Sequence, residues 1–118
     1  MPELDTERLL THSCTLVEYS GKKTLNAKTL LASFRICYYD NQQFLREGIS
    51  EGTKFCTKYN SLEGDELKKF KEKINYGEHH EIIKNFLSDE EIKTHIKIKI
   101  DPAAPAFLSG LCKYFEDK

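Results

Sequence analysis

His12 and Cys14 are the pair whose residue types and spacing most directly suggest chemistry. On an extended chain, side chains two apart share a face, and imidazole with thiolate can ligate zinc. A closed site needs two more ligands. His79, His80 and Cys56 are the remaining candidates, each distant in sequence and none in a paired spacing. Isolated residues are therefore the reading here, and no metal or cofactor is expected. Thiol catalysis is the second possibility. A nucleophilic cysteine needs a neighbouring base and a lowered pKa, which Cys14 or Cys56 with His79, His80 or His95 would supply. A small cysteine-dependent enzyme thus stands as one alternative function. No glycine-rich elbow accompanies any cysteine, so no catalytic residue is assigned.

The other catalytic patterns have simpler accounts. Glu63, Asp65 and Glu66, and then Asp89, Glu90 and Glu91, stand at predicted helix starts, where negative charge is stabilised by the helix dipole. Glu78 and Glu81 flank His79-His80, as at a solvated helix end. Gly48 and Gly52 lack the spacing of a phosphate loop, and no Gly-Lys-Ser/Thr follows them.

Binding residues are better represented. Lys68, Lys69, Lys71 and Lys73 crowd one predicted helix, and Lys97 and Lys99 share a strand face with His95. Were these surfaces to adjoin, they would track a phosphate backbone, with Tyr59 or Tyr76 stacking bases beside them. Nucleic-acid binding through Lys68, Lys69, Lys97 and Lys99 is therefore an alternative function. Against it, Asp65, Glu66 and Glu72 interleave with the helix lysines, the pattern of an ordinary solvated face.

The aromatic residues point elsewhere. The chain has seven Phe and six Tyr but no Trp. Tyr38 and Tyr39 are adjacent, so both cannot face one core. Exposed tyrosine beside arginine is the composition of interface hot spots. Arg35, Tyr38, Tyr39 and Arg46 are accordingly the expected partner-binding surface. The first functional expectation is a non-catalytic protein-binding module: an inhibitor, immunity factor, adaptor or regulatory subunit. Self-association into a homo-oligomer is compatible with it.

The whole composition bounds these readings. A chain of 118 residues is one domain by size. Its net charge of −1 creates no global field toward nucleic acid or anionic lipid. The acidic start and the lack of a long apolar run place the expectation in the cytoplasm or a host cell interior, with no membrane partner. Four dispersed cysteines would remain thiols there.

Positioning elements follow from periodicity. Asn26 to Arg46 carries the largest apolar stripe, read as a central helix capped by Asn26 and stopped near Gly48. A hairpin over 34–47, turning at Asp40-Asn41, is its rival. A first helix is read over 3–11, a strand over Thr15–Tyr19, and a short strand over Lys54–Tyr59. Helices are read over Asp65–Asn75 and Glu78–Leu87, with Ser88 capping a further turn. His95–Ile100 alternates as the clearest strand, and a last helix runs from Pro105 to about Glu116. The sum is a small α+β domain of several helices with a small sheet, or, alternatively, a mostly α one.

Overall fold

The computed structural model describes residues 4–117. They form six helices and one two-stranded sheet. The fold is α+β with helix dominant. The predicted helix start at residue 3 lies outside the described residues.

Helix α1 spans Thr6–Ser20 and begins where the Asp5 side chain accepts the Arg8 N–H at 3.0 Å. It buries Leu9, Leu10, Ser13, Cys14 and Val17, a single stripe at helical spacing. The strand predicted over Thr15–Tyr19 is therefore wrong: its apolar alternation is the end of this stripe. Gly21 ends the helix in the left-handed region at φ 72°, where glycine carries no side-chain penalty. Strand β1, Thr24–Leu25, follows directly.

The predicted central helix is two helices. Helix α2 runs Ala27–Cys37 from the Asn26 cap, and helix α3 runs Gln42–Ser61. Asn41 starts α3 by accepting the Phe44 N–H at 3.0 Å. Asp40-Asn41 thus turns between helices, and the hairpin alternative is excluded with it. Gly48 is no stop, and Lys54–Tyr59 is no strand; both lie inside α3. Helix α4 spans Gly64–Lys73. Helix α5 is continuous over Tyr76–Thr94. Ser88 does not cap a new helix, because its Oγ donates backward to the Lys84 carbonyl at 3.0 Å.

Strand β2 is shorter than predicted, Lys99–Ile100, and pairs in parallel with β1: Thr24 opposite Lys99, Leu25 opposite Ile100. Helix α6, Ala104–Glu116, then enters the centre of the molecule, with every residue from Ala104 to Leu111 buried. Small side chains allow this. At Gly110 the backbones of α6 and α3 meet so closely that a Cβ would stand 2.7 Å from the Glu51 carbonyl oxygen and 2.7 Å from the Gly52 Cα. On α3, Gly48 faces the Phe34 ring and Gly52 the Phe107 ring at similarly short range. The buried serines are satisfied: Ser13 and Ser33 both donate to the Leu9 carbonyl, at 2.8 and 2.6 Å. No described helix is long and apolar enough to cross a membrane.

His95 closes α5 with φ 60°, in the left-handed region. A residue with a Cβ is strained there. His95→Gly is expected to raise the unfolding free energy by about 0.5–1 kcal/mol, measured by urea denaturation.

Candidate functional site

The paired strands bring together four lysines that are remote in sequence. Lys22 and Lys23 leave the Gly21 cap and lead into β1; Lys97 and Lys99 approach and enter β2. The Lys99 N–H donates to the Lys23 carbonyl at 2.7 Å, and the Asp101 N–H to the Leu25 carbonyl at 2.9 Å. These bonds fix the register. Leu25 is fully buried, and Ile98 and Ile100 pack against the main core. Period-two alternation then turns Lys97 and Lys99 to the opposite, solvent side. All four lysines are exposed.

Helix starts stand at the other end of the sheet, beyond the C-terminal ends of the strands. Both strands run straight into helices, β1 into α2 and β2 into α6. Since the strands are parallel, both helices present their N-termini at the same end of the sheet. Each contributes a partial positive charge there. Asn26 caps α2 with a neutral side chain, and Lys28 in its first turn is exposed. Asp101 opposes this at α6, its carboxylate accepting the Ala103 N–H at 3.1 Å. Lys22, Lys23, Lys97 and Lys99 are nonetheless four exposed cations on adjoining segments of a chain of net charge −1.

Lys68 and Lys69 stand exposed on a different element, α4, which packs against α3 and α5. The tyrosines expected to stack bases are already stacked on each other. The Tyr59 and Tyr76 rings are 5.4 Å apart and 2° from parallel. His80 stacks on Tyr76 at 6.3 Å, and the Lys71 ammonium lies 4.6 Å from its centroid. The Tyr76 hydroxyl donates to the Pro102 carbonyl at 2.6 Å. Burial, then the bond with Tyr59, push that hydroxyl well above the usual phenol range.

The expected partner surface divides. Tyr38 is half-buried and packs on Phe34, Phe44 and Phe115, with centroids 5.0, 6.2 and 5.4 Å away. Its hydroxyl accepts the Asp5 N–H at 3.1 Å. Tyr39 instead is 72% exposed, with exposed Arg35 and Ile36 on the turn of α2 before it. Arg46 is exposed on the second turn of α3.

The cysteines are poor nucleophiles. Burial, followed by Glu90 and Glu18, pushes the Cys14 thiol up to about 12; burial, then Glu116 and Glu78, does the same at Cys112. Cys37 and Cys56 are also raised, chiefly by burial. His12 and Cys14 do not share a face, because residues two apart on α1 point to nearly opposite sides. His79 instead directs Nδ1 at the Asn75 carbonyl, 2.9 Å away. Among the described residues, no group of three or more His, Cys, Asp and Glu side chains is gathered as a metal site.

Cys14 and Cys112 make stability depend on alkaline pH. The unfolded thiols ionise near 9.0 while the folded ones hold their protons to about 12. Between these values the unfolded chain binds fewer protons, so stability falls as pH rises. The urea midpoint is expected to be insensitive to these thiols below pH 9 and to decline above it, with a shallower decline in Cys14→Ala.

Lys97 and Lys99 are among the lysines singled out from the sequence, and Lys22 and Lys23 are not. The available signal was the position of both lysine pairs just upstream of short apolar runs that end at helix starts. No protein-family model and no curated protein matches the chain.

Proposed function

We propose that this domain is a non-catalytic binding module whose ligand is a nucleic acid, held by its phosphate backbone at the corner formed by Lys22, Lys23, Lys97 and Lys99. The observation that supports this reading is the parallel pairing of β1 with β2, which brings the segments carrying four exposed lysines side by side. Lysine binds phosphate as a point charge, and each phosphate neutralised releases condensed counterions. Such contacts position a duplex without reading bases. Recognition is therefore independent of sequence. The mutual stacking of Tyr59 and Tyr76 fits this, since neither ring offers both faces to a base.

Fluorescence anisotropy with a labelled duplex tests it. The pair Lys97→Glu, Lys99→Glu is expected to weaken binding strongly. The pair Lys68→Glu, Lys69→Glu, on α4, is expected to leave it nearly unchanged. The reverse ranking would place the site on α4.

A protein partner is the second reading. It is favoured by one observation: Tyr39 at 72% and Ile36 at 42% exposure lie next to Arg35. An aromatic, an aliphatic and an arginine make a compact hot-spot set. In a captured complex, Tyr39→Ala and Arg35→Ala are each expected to weaken the partner's affinity at least about tenfold, a cost above 1 kcal/mol. Unchanged affinity in both variants would remove this reading. The four free thiols fit a reducing compartment, so the proposed location is the cytoplasm or a host cell interior.

A further inference from the structure

A cleft of about 220 Å³ lies where α4, α5 and α6 meet. Its lining is mixed, with apolar surface from Phe55, Ile74 and the half-buried Cys112 set among polar side chains. Its rim carries both charge signs: Lys73 at the end of α4, and Lys113 and Glu116 on the last turn of α6. The corner that shapes it is tightly turned and pinned. Asn75 sits between α4 and α5 at φ 55° and ψ 44°, the left-handed region, which asparagine adopts more readily than most residues with a Cβ. The Ser109 Oγ, buried, donates to the Ile74 carbonyl at 2.6 Å and ties this corner to α6. His79, also at the cleft, donates Nδ1–H to the Asn75 carbonyl. That bond fixes the tautomer and leaves Nε2 with hydrogen-bonding capacity.

Volume and charge together select the ligand. The cleft is smaller than the ~300 Å³ lower bound of drug-sized pockets, so it suits a compact molecule. A ligand bearing only a carboxylate would meet Glu116 as well as the lysines; one bearing only an ammonium would meet two lysines. A compact apolar molecule with both charges satisfies lining and rim at once. The geometry points to a binding site for a small amphipathic zwitterion, of the chemical class of a free α-amino acid with a branched apolar side chain. Its carboxylate lies against Lys73 and Lys113, its ammonium against Glu116, and its side chain on Phe55, Ile74 and Cys112. Lys113 is free to turn inward, because its present ion pair with Asp117 is long, 3.8 Å, and exposed.

Amide-resolved NMR titration tests the site with three probes: L-leucine, isocaproate, which lacks the ammonium, and isoamylamine, which lacks the carboxylate. L-leucine is expected to give saturable shifts at Asn75, His79, Cys112 and Lys113, with affinity about tenfold above either analogue. Glu116 is exposed, so Glu116→Gln leaves the fold intact. It is expected to bring L-leucine down to the level of isocaproate, while Lys73→Gln weakens both. Equal binding of the three probes, shifts centred elsewhere, or no saturable shift in the folded protein would each overturn the proposal.

Discussion

Gly110→Ala is expected to lower the unfolding midpoint by about 8 °C, the largest stability effect of any single methyl group added to this chain. The added Cβ would stand 2.7 Å from both the Glu51 carbonyl oxygen and the Gly52 Cα. Those are backbone atoms of α3, so no side-chain rotation relieves the clash, and the two helices must separate. Overpacking of this kind costs about 3 kcal/mol, partly offset by the roughly 1 kcal/mol that alanine gains over glycine in a helix. At about 4 °C per kcal/mol for a domain of this size, the remaining loss of about 2 kcal/mol is near 8 °C. Two other glycines bracket the effect. Gly52→Ala would meet the Phe107 ring at 2.9 Å, and a ring edge yields more readily than backbone, so its cost is smaller. Gly77 on α5 has nothing within 4 Å of an added Cβ, and Gly77→Ala is expected to stabilise by about 0.5–1 kcal/mol. Calorimetry on the three variants should rank them in this order. A neutral Gly110→Ala would mean that α3 and α6 do not approach as described.

The second large effect concerns binding. Replacing Lys22, Lys23, Lys97 and Lys99 together by Gln is expected to reduce duplex affinity by about 10²–10³-fold at moderate salt, while the unfolding midpoint stays nearly unchanged. The loss follows from removing four counterion-releasing contacts. Folding is spared because these side chains are exposed, and the strand pairing uses the Lys99 N–H and the Lys23 carbonyl rather than their ammonium groups. Single substitutions should each contribute a similar fraction, since the contacts are point charges without shared hydrogen bonds. Affinity should fall uniformly across duplex sequences, because phosphate contacts carry no base information.

Local patterns in the sequence were legible where one helix buries one face against a common core. Helix α4 shows its stripe of Leu67, Phe70 and Ile74, and α6 its run from Phe107 to Phe115. Asn26 was read as a cap and is one. Two kinds of feature were not legible. Gly48 and Gly52 look like chain breakers, yet they sit mid-helix because Phe34 and Phe107 occupy the space a Cβ would take. That reason lies in partners distant in sequence. The sheet was hidden for a similar cause. Thr24–Leu25 and Lys99–Ile100 are each two residues long and lie on either side of four helices; periodicity cannot register so short a pair. Helical Leu16 and Val17 mimicked a strand because the α1 stripe ends there. The lysine corner inherits this illegibility, being assembled by the strand pairing alone. Tyr38 shows the complementary limit: sequence says that one of two adjacent tyrosines faces out, and packing against Phe34 and Phe115 determines that it is Tyr39.

The salt dependence of duplex binding tests the central claim most directly. The logarithm of the association constant, measured by anisotropy across a series of salt concentrations, should fall linearly with the logarithm of salt. Four lysine–phosphate contacts give a slope of about −3.6, and the Lys97→Gln, Lys99→Gln pair should reduce it to about −1.8. A slope near zero, or one that these two substitutions leave unchanged, would contradict a phosphate-binding site on the paired strands.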